Sequence, residues 1–571
     1  MPRSSDTRNG LPVFGSFLQF LERHPSPLVL TLIVAGLLRF YLLDFFGLSS
    51  DEFATSMIVS KRAFDNIIKT CFVIPQPVPP FYFLLCELCV EVLGAGETGL
   101  RFLSVICGIL TVYLVFLIGK ILFDSSVAGW AALLCALNTT QILYAQMARP
   151  YALCLLLSSI SILSFLRWLK KDSFLDQFSY VISTSLLLYS HYIFSPLLLI
   201  QGMYFYWCRR FARNTYRTTQ SWVILQLAVA FAMAPLLIQN QILDMIHARR
   251  SLQWVSNTPH FKDVILFFKL KYLFFSAIIT FICSWNPFRW ESLRCPMAEA
   301  DKQDFAPRVH GLVFLLLWYG LPPLLFYLLY LFTGINLMVE RYLILISLAS
   351  YLLIPAVALS IKHYRWGKTF VIVYVLYYVI SAPILSYFKK GHFSQAMPGE
   401  SQWRETFGAL NNSAFKSSLL LFQSPYIEAD QLDYGPNTPL FDYLSAPILS
   451  SHIRDTRTPF ELLPHHWRTE TAMQEKFNAR IKRAVLGSQE FTLLCNQEFW
   501  EDFQAWLHRE FTDHFEILSV KTFSSSQVLR LKKIRLLSKR TRNPDDAFLG
   551  GGTRSSVPKF RWKNSRRRQD G

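Results

Sequence analysis

Residues 28–52 read LVLTLIVAGLLRFYLLDFFGLSSDE, a long apolar segment that runs directly into the acidic pair Asp51-Glu52. The apolar part, Leu28–Phe46, is long enough to cross the hydrocarbon core of a bilayer as a helix. Carboxylates held at a membrane surface are costly and are usually functional. The stretch therefore predicts a membrane-spanning first helix and a functional acidic site at the lipid–water boundary.

The composition extends this interpretation to the whole chain. Of the 571 residues 52% are hydrophobic and only 17% charged, and the mean hydropathy is +0.28. Soluble domains carry about 25% charged residues, so we expect a multi-pass membrane protein. No small-residue cleavage site follows the first apolar segment, which favours an uncleaved anchor. Cys86 and Cys89 form a Cys-x-x-Cys pair without a second ligand pair, which does not favour zinc or redox chemistry.

Apolar segments of spanning length recur along the chain. They are 27–46, 99–121, 126–145, 150–168, 175–190, 193–208, 221–240, 262–284, 310–333, 341–361 and 367–388. The segment 79–93 is shorter and contains Glu87 and Glu91, and we interpret it as an interfacial helix. With the amino terminus inside, this assignment of about eleven spans puts the Lys/Arg clusters on the inner side, as the positive-inside rule requires. In this topology the outer side carries the following polar residues: Asp51, Glu52, Arg149, His191 and Arg341.

The sequence divides into four regions. Residues 1–26 are a cytoplasmic amino terminus, 27–390 the helical membrane domain, 391–535 a small α/β domain on the outer face, and 536–571 a basic, disordered tail. From Lys532 onward thirteen Lys or Arg stand against three Asp. Such a tail could bind anionic lipid or glycan, or be only a solvated terminus. The elements expected in the outer domain are helices at 403–411 and 499–511 and strands at 417–423, 491–496, 515–523 and 527–531.

The acidic pair has a simple structural alternative. Ser50 is a candidate N-cap, with Asp51 and Glu52 in the first helical turn, so capping alone could explain both carboxylates. Arg39 lies inside the first span, where an unpaired charge is expensive. Asp44 follows five residues later and is its candidate partner.

Further candidates lie at later outer ends. Pro80 can open the helix that follows it. Arg149 stands beside Pro150 at the start of another span, where free N–H groups and a guanidinium suit a lipid phosphate, although an interfacial Arg with Tyr neighbours is also common. His191 is, as a single histidine, more often packed than catalytic. The other basic residues that could meet a phosphate are Lys61, Arg62, Arg249, Arg250 and Arg341.

Taken in order, these motifs resemble the family-39 glycosyltransferases, which include protein O-mannosyltransferases and the lipid A aminoarabinose transferase. The resemblance covers roughly residues 28–410. It rests on Arg39, Asp51-Glu52, Pro79-Pro80-Phe81-Tyr82, Gly96-Glu97-Thr98-Gly99-Leu100-Arg101, Tyr144-Ala145-Gln146, Arg149-Pro150-Tyr151, Tyr189-Ser190-His191-Tyr192, Glu340-Arg341-Tyr342-Leu343 and Trp403-Arg404-Glu405.

The resemblance implies a GT-C fold and an enzyme of the plasma (inner) membrane. Such an enzyme moves a sugar from a polyprenyl-phosphate carrier to a glycan, lipid or protein acceptor on the extracytoplasmic face, with membrane lipids but no nucleic acid as partners. Asp51 would be the general base, and Glu52 would shape the site or help hold a cation. The donor phosphate would be bound by Arg149 and Arg341, with Lys61 and Arg62 as further candidates. Supporting roles would fall to Arg39, Pro80, Tyr82, Glu97, Arg101, Tyr144, Tyr151 and His191.

The sequence departs from the family pattern at two places. Val78 stands where a His or Lys often precedes the Pro-Pro element, and no second carboxylate lies near residues 144–151. The sequence assigns no cofactor; a divalent cation stays an option, and the lack of a second carboxylate near residues 144–151 disfavours it. A secondary transporter, a lipid-linked glycan ligase or polymerase of another fold, and a non-catalytic relative are the alternatives. The outer clustering of polar residues and the lack of a repeat disfavour a transporter.

Overall fold

A computed structural model describes most of the helical part and much of the C-terminal segment. The described residues are 26–45, 47–61, 63–73, 78–171, 173–211, 217–238, 302–359, 371–373, 375, 403–410, 419–426, 429, 439–450, 460–467, 472–488, 490–511, 515–523 and 529–536. Several expectations fall outside this part of the chain. They concern the spans 262–284 and most of 367–388, the amino terminus, the tail beyond 536, and Arg62, Arg249 and Arg250.

The regular secondary structure that the described residues of the membrane part form is helical. Its helices are α1 (Ser26–Phe40), α2 (Ser50–Val59), α3 (Phe64–Val73), α4 (Phe81–Leu93), α5 (Glu97–Leu122), α6 (Ser125–Leu137), α7 (Thr139–Ala145), α8 (Tyr151–Lys170), α9 (Phe174–Ser190), α10 (Pro196–Phe211), α11 (Thr219–Ile238), α12 (Lys302–Thr333) and α13 (Leu345–Leu359). A short 3-10 turn, Tyr192–Phe194, joins α9 to α10.

The expectation of a multi-pass membrane protein is confirmed. Within the described ranges four helices, α5, α8, α11 and α12, have the length and apolarity of a span, and a fifth span results if α6 and α7 are counted together. Helices α1 and α13 are apolar but shorter. The number of eleven spans stays a prediction.

The expected span 126–145 is a broken one. Its two parts, α6 and α7, meet at an angle of 60°. Asn138 sits at the break, where its side-chain oxygen accepts the N–H of Gln141 at 2.9 Å and caps α7. Arg39 provides partners for the end of α6: its guanidinium donates to the carbonyls of Cys135 (3.3 Å) and Ala136 (3.1 Å). Backbone groups freed by a break within a membrane need such partners.

This arrangement corrects the expected pairing of Arg39 with Asp44. The buried Arg39 donates to backbone carbonyls, including that of Ala35 in its own helix. Glycine makes room for it: a Cβ on Gly108 of α5 would lie 3.0 Å from Arg39 Nε and 2.7 Å from Ala145 Cβ. Carbonyl dipoles thus take the place of a carboxylate in stabilising the charge.

The segment 79–93 forms a helix of only 13 residues, α4, which begins directly after Pro80. The helix ends at Gly94, whose φ of +89° is one that side-chain-bearing residues rarely adopt. A helix of this length is short for a span.

The C-terminal segment carries a five-stranded sheet of order β2-β1-β3-β5-β4. The first three strands are parallel, and β5 pairs antiparallel with both β3 and β4. The elements of this segment are α14 (Trp403–Leu410), β1 (Leu420–Gln423), α15 (Pro439–Leu444), α16 (Ala446–Ser450), β2 (Phe460–Leu463), α17 (Ala472–Ser488), β3 (Glu490–Asn496), α18 (Gln497–Phe511), β4 (Phe515–Phe523) and β5 (Leu529–Leu536).

The two faces of the sheet belong to different cores. Side chains alternate along a strand, so Leu421 of β1 packs in a cluster with Trp467, Phe503 and Trp506. Its neighbour Phe422 belongs instead to the large core that continues through the helical part. The second face therefore docks the C-terminal segment onto the membrane helices.

Candidate functional site

Helix α2 begins with a capping box. Ser49 is the N-cap: its hydroxyl accepts the N–H of Glu52 at 3.3 Å, while the Glu52 carboxylate accepts the N–H of Ser49 at 2.9 Å. The expected cap, Ser50, is instead the first residue of the helix. The spacing explains the shift, because a capping box needs the carboxylate three residues after the cap.

Glu52 is buried, with 2% of its side chain exposed, and both of its oxygens are occupied. Arg101 donates from Nε to Oε1 (2.7 Å) and from Nη2 to Oε2 (2.8 Å). The N–H of Ala148 donates to Oε1 at 2.8 Å. Burial alone would raise the pKa of Glu52, but Arg101 and the N–H donors of Ser49 and Ala148 hold the pKa below its usual value.

Glu52 therefore ties three parts of the chain together at one point. It connects the start of α2 to α5, through Arg101, and to the turn before α8, through Ala148. The turn is attached a second time by Thr55, whose hydroxyl donates to the carbonyl of Ala148 at 2.8 Å. Because the carboxylate is already saturated with donors, it is poorly placed to take a substrate proton.

Asp51 has the opposite environment. Its side chain is 29% exposed, and Arg341 Nη1 lies 3.4 Å from its Oδ2. Arg149 Nη1 donates to the backbone carbonyl of Asp51 at 3.1 Å. The pair Asp51-Glu52 thus separates into an accessible carboxylate and a buried structural one, because consecutive residues on a helix point in different directions.

Two guanidinium groups converge on Asp51. Burial lowers the pKa of Arg149, but nearby groups, Asp51 first among them, raise it by more, so the side chain stays cationic. Arginine side chains in proteins are not deprotonated, so Arg341 is cationic as well. Arg149 stands beside the first turn of α8, which adds the partial positive charge of a helix start. The two guanidinium groups beside the Asp51 carboxylate offer donors that suit an anion such as a phosphate.

Aromatic rings line the same region. Tyr151 contacts Tyr144, with ring centroids 5.2 Å apart, and His191 at 5.9 Å. His191 in turn contacts Tyr342 at 5.8 Å, and the Arg341 guanidinium lies 5.4 Å from the Tyr342 ring centre. These residues come from four separate stretches of sequence, and the fold brings them beside the two cations.

Tyr82 and Glu97 support the site from α4 and α5. The buried Tyr82 hydroxyl bonds Ser104 Oγ at 3.0 Å, and Ser104 reaches the carbonyl of Arg149 at 3.4 Å. Glu97, in the first turn of α5, interacts electrostatically with Arg101. Pro80 is buried at the start of α4.

Lys61 has a different neighbour from the one expected. Its ammonium pairs with Asp442 Oδ2 at 2.9 Å, and each side chain is about a third exposed. Asp442 belongs to α15 of the C-terminal segment, so this contact joins the far end of α2 to that segment. Lys61 is thus engaged away from the Asp51 cluster.

A contact that sequence reasoning missed reaches the site from the C-terminal segment. The Tyr426 hydroxyl donates to the carbonyl of Ser50 at 2.6 Å, across 376 residues of sequence. Tyr443 stacks on Tyr426 at 4.7 Å and interacts electrostatically with Arg149. Nothing in the local sequence marks either tyrosine, because the contact exists only after docking.

The residues of the site do not fit a divalent cation. Among the described residues no group of three or more His, Cys, Asp or Glu side chains is placed to hold a metal ion. Glu52 is occupied by Arg101, and Asp51 faces two guanidinium groups. A cation would meet like charge there, so no step of the chemistry is assigned to one.

Residues 77–238 match the family described as dolichyl-phosphate-mannose-protein mannosyltransferase. The matched region contains Tyr82, Arg101, Arg149 and His191. The match confirms the resemblance to this family that the ordered motifs predicted. No curated protein matches the chain in sequence.

Several solved structures align with much of the chain at low sequence identity. ArnT from Cupriavidus metallidurans in the apo state is 11% identical, over 88% of this chain and 97% of that one, with a TM-score of 0.49. The same protein bound to undecaprenyl phosphate is 13% identical, with the same coverage and a TM-score of 0.48. The oligosaccharyltransferase AglB from Archaeoglobus fulgidus, in complex with an inhibitory peptide and a dolichol-phosphate, is 12% identical over 84% and 70%, with a TM-score of 0.46.

Proposed function

We propose that this protein is an integral membrane glycosyltransferase that moves a sugar from a polyprenyl-phosphate carrier to a glycan, lipid or protein acceptor. The observation that carries the proposal is the partly exposed Asp51 carboxylate between Arg149 and Arg341. The family match over residues 77–238 supports the same reaction class.

Asp51 is the general base in this reaction. It accepts the proton of the acceptor hydroxyl or amine while the acceptor atom attacks the anomeric carbon of the sugar. The bond between that carbon and the phosphate oxygen breaks, and the carrier leaves as a lipid phosphate. Asp51 suits the role better than Glu52, whose oxygens are bonded to Arg101 and to backbone N–H groups.

Arg149 and Arg341 bind the donor phosphate and stabilise the charge that develops on the leaving group. Guanidinium groups present planar pairs of donors that match phosphate oxygens. The aromatic rings of Tyr151, His191 and Tyr342 offer apolar faces beside these cations. Lys61 is less favoured, because it is paired with Asp442. Arg62 lies outside the described residues.

The reaction takes place on the extracytoplasmic face of the plasma (inner) membrane. The charge pattern of the loops supports this orientation, since the Lys/Arg clusters Lys170-Lys171 and Arg209-Arg210 lie at the opposite helix ends from Arg149 and His191. A lipid-linked donor suits a site at helix ends, because the carrier can stay in the bilayer. The sheet-bearing C-terminal segment lies on the same side, since it contacts α2.

The experiment compares membranes that contain wild-type protein, Asp51→Asn or the control Asp176→Asn. Each is supplied with a panel of radiolabelled polyprenyl-phosphate sugars. Asp176 lies in the first turn of α9, at the opposite helix end from His191, so its substitution tests the effect of losing a carboxylate elsewhere. We expect label transfer and carrier release by the wild type and the control, and loss of both in Asp51→Asn at equal expression.

Other outcomes count against parts of the proposal. Transfer that survives in Asp51→Asn removes Asp51 as the base but keeps the reaction class. No transfer by folded wild-type protein with any donor, in membranes that contain endogenous acceptors, rejects the glycosyltransferase and favours a transporter or a non-catalytic relative.

A further inference from the structure

Helix α2, which carries Asp51, is held at both ends by the C-terminal segment. At its start the Tyr426 hydroxyl donates to the carbonyl of Ser50 at 2.6 Å. Just beyond its end Lys61 pairs with Asp442 at 2.9 Å. The segment that bears the sheet therefore contacts the helix at two points, and the first lies one residue from Asp51.

Tyr426 is itself firmly placed. Only 7% of the residue is exposed, and its ring stacks on Tyr443 with centroids 4.7 Å apart. Its N–H donates to the hydroxyl of Ser424 at 3.2 Å, and Ser424 donates in turn to the carbonyl of Leu444 at 3.0 Å. The phenol thus extends from a braced turn rather than from a free loop.

The turn lies at the carboxyl end of a parallel strand of the sheet. Ser424 directly follows β1, the middle strand of the parallel set β2-β1-β3. In open α/β sheets the crevice outside the carboxyl ends of the parallel strands is where ligands bind. Here that end of β1 leads, through Tyr426, to the first turn of α2.

Hydrogen bonds fix the peptide groups on both sides of Asp51. The Ser50 carbonyl and the Asp51 nitrogen belong to one planar peptide unit, so the bond from Tyr426 sets the tilt of the plane that precedes Asp51. The Asp51 carbonyl belongs to the following plane, and Arg149 Nη1 donates to it at 3.1 Å. With both planes held, the direction in which the Asp51 side chain leaves the backbone is restricted.

We propose that Tyr426 is a positioning residue, which holds the Asp51 carboxylate at its working angle from the C-terminal segment. This inference rests on the proposed role of Asp51 as general base. Small errors in the placement of a reacting group cost large factors in rate. The tyrosine hydroxyl bonds the peptide that precedes Asp51, whereas the guanidinium groups of Arg149 and Arg341 are carried by other parts of the chain. The loss of that hydroxyl should therefore reduce kcat and leave the donor KM nearly unchanged.

The test uses the full-length protein in lipid nanodiscs and the variant Tyr426→Phe, which keeps the ring and removes the hydroxyl. Tyr180→Phe is the matched control, because it removes a buried hydroxyl that bonds Gln201 and Gln226 in the α9–α11 region. Two quantities are measured for each protein: amide hydrogen exchange of residues 47–60, and kcat and donor KM for sugar transfer. If Tyr426→Phe does not fold, Ser424→Ala, which loosens the same turn, replaces it.

We expect faster amide exchange at the start of α2 and a kcat lower by about tenfold in Tyr426→Phe, with a donor KM within about twofold of wild type. The control should show neither change. Unchanged exchange in residues 47–60, or unchanged kcat despite faster exchange, would overturn the inference. If the wild type transfers no sugar, the proposed function fails, and the exchange measurement alone still decides whether Tyr426 holds α2.

Discussion

Arg101 and Glu52 form a two-point ion pair inside the helical core, with N–O distances of 2.7 and 2.8 Å. The same guanidinium donates to the carbonyls of Leu43 (2.7 Å) and Gly47 (3.0 Å) in the loop before α2. The pair therefore fixes the loop that leads to Asp51 as well as the helix that carries it. Its position makes it a structural support of the candidate site.

Removing one charge of this pair should be costly. Glu52→Gln removes the carboxylate charge that contacts the buried Arg101 guanidinium, and we expect a loss of about 3–5 kcal/mol in the free energy of unfolding. Glu461→Gln is the control, because Glu461 and its partner Arg480 are each about a third exposed, and a pair of that kind contributes at most about 1 kcal/mol. Thermal unfolding in detergent measures both. Equal losses in the two variants would contradict the structural role of Glu52.

The same carboxylate should make stability depend on pH. The pKa of Glu52 is lower in the folded protein than in the unfolded chain, so the ionised group stabilises the fold above the unfolded pKa, about 4.3 for Glu. This contribution is lost as the pH falls from there through the folded pKa. We expect the unfolding temperature to fall over that acid range in the wild type, and to fall less in Glu52→Gln. If the unfolding temperatures of the two proteins fell equally with pH, this would argue against a lowered pKa of Glu52.

Arg149 should affect binding of the donor more than the fold. Arg149→Lys keeps the charge but loses the planar pair of donors that a phosphate needs, and we expect the donor KM to rise by about tenfold, equivalent to about 1.4 kcal/mol. The measurement is transfer rate against donor concentration. A donor KM equal to that of the wild type would remove Arg149 from the phosphate site.

A substitution of Lys61 tests whether this residue, rather than Arg149 and Arg341, binds the donor phosphate. Its ammonium is engaged by Asp442, so Lys61→Met should leave the donor KM within about twofold of wild type and cost no more than about 1 kcal/mol of stability. The swapped pair Lys61→Asp with Asp442→Lys should restore any loss. A large rise in the donor KM of Lys61→Met would instead support the phosphate role that the sequence suggested.

The close approach at Gly108 should not tolerate a methyl group. A Cβ there would lie 2.7 Å from Ala145 Cβ and 3.0 Å from Arg39 Nε, so Gly108→Ala should destabilise the protein by about 1–3 kcal/mol through overpacking. Gly129→Ala, in α6, is the matched control, since a Cβ at Gly129 meets nothing within 4 Å. Unfolding temperatures of the two variants decide the matter. If the two variants unfolded at similar temperatures, Arg39 and α7 would be able to shift and accommodate the added methyl group.

Much of the helical part could be predicted from the sequence. Long apolar segments leave a bilayer few alternatives to helices, because backbone groups must bond within each segment. The motifs at the helix ends also indicated the candidate site, and the structure brings Asp51, Arg149 and Arg341 together. Strand β2 and the helix α17 were not predicted.

The sequence by itself determined the membrane character, the positions of most described helices and the set of polar residues at their ends. Only the tertiary structure decided what each polar residue does. Asp51 and Glu52 are adjacent and chemically alike, and they differ because one faces outward and the other is buried against Arg101, 49 residues away. The proposed role of Tyr426 rests on its hydrogen bond to Ser50, which lies 376 residues earlier in the sequence. Periodicity records which face of an element is apolar, but partners so distant in sequence are set by packing alone.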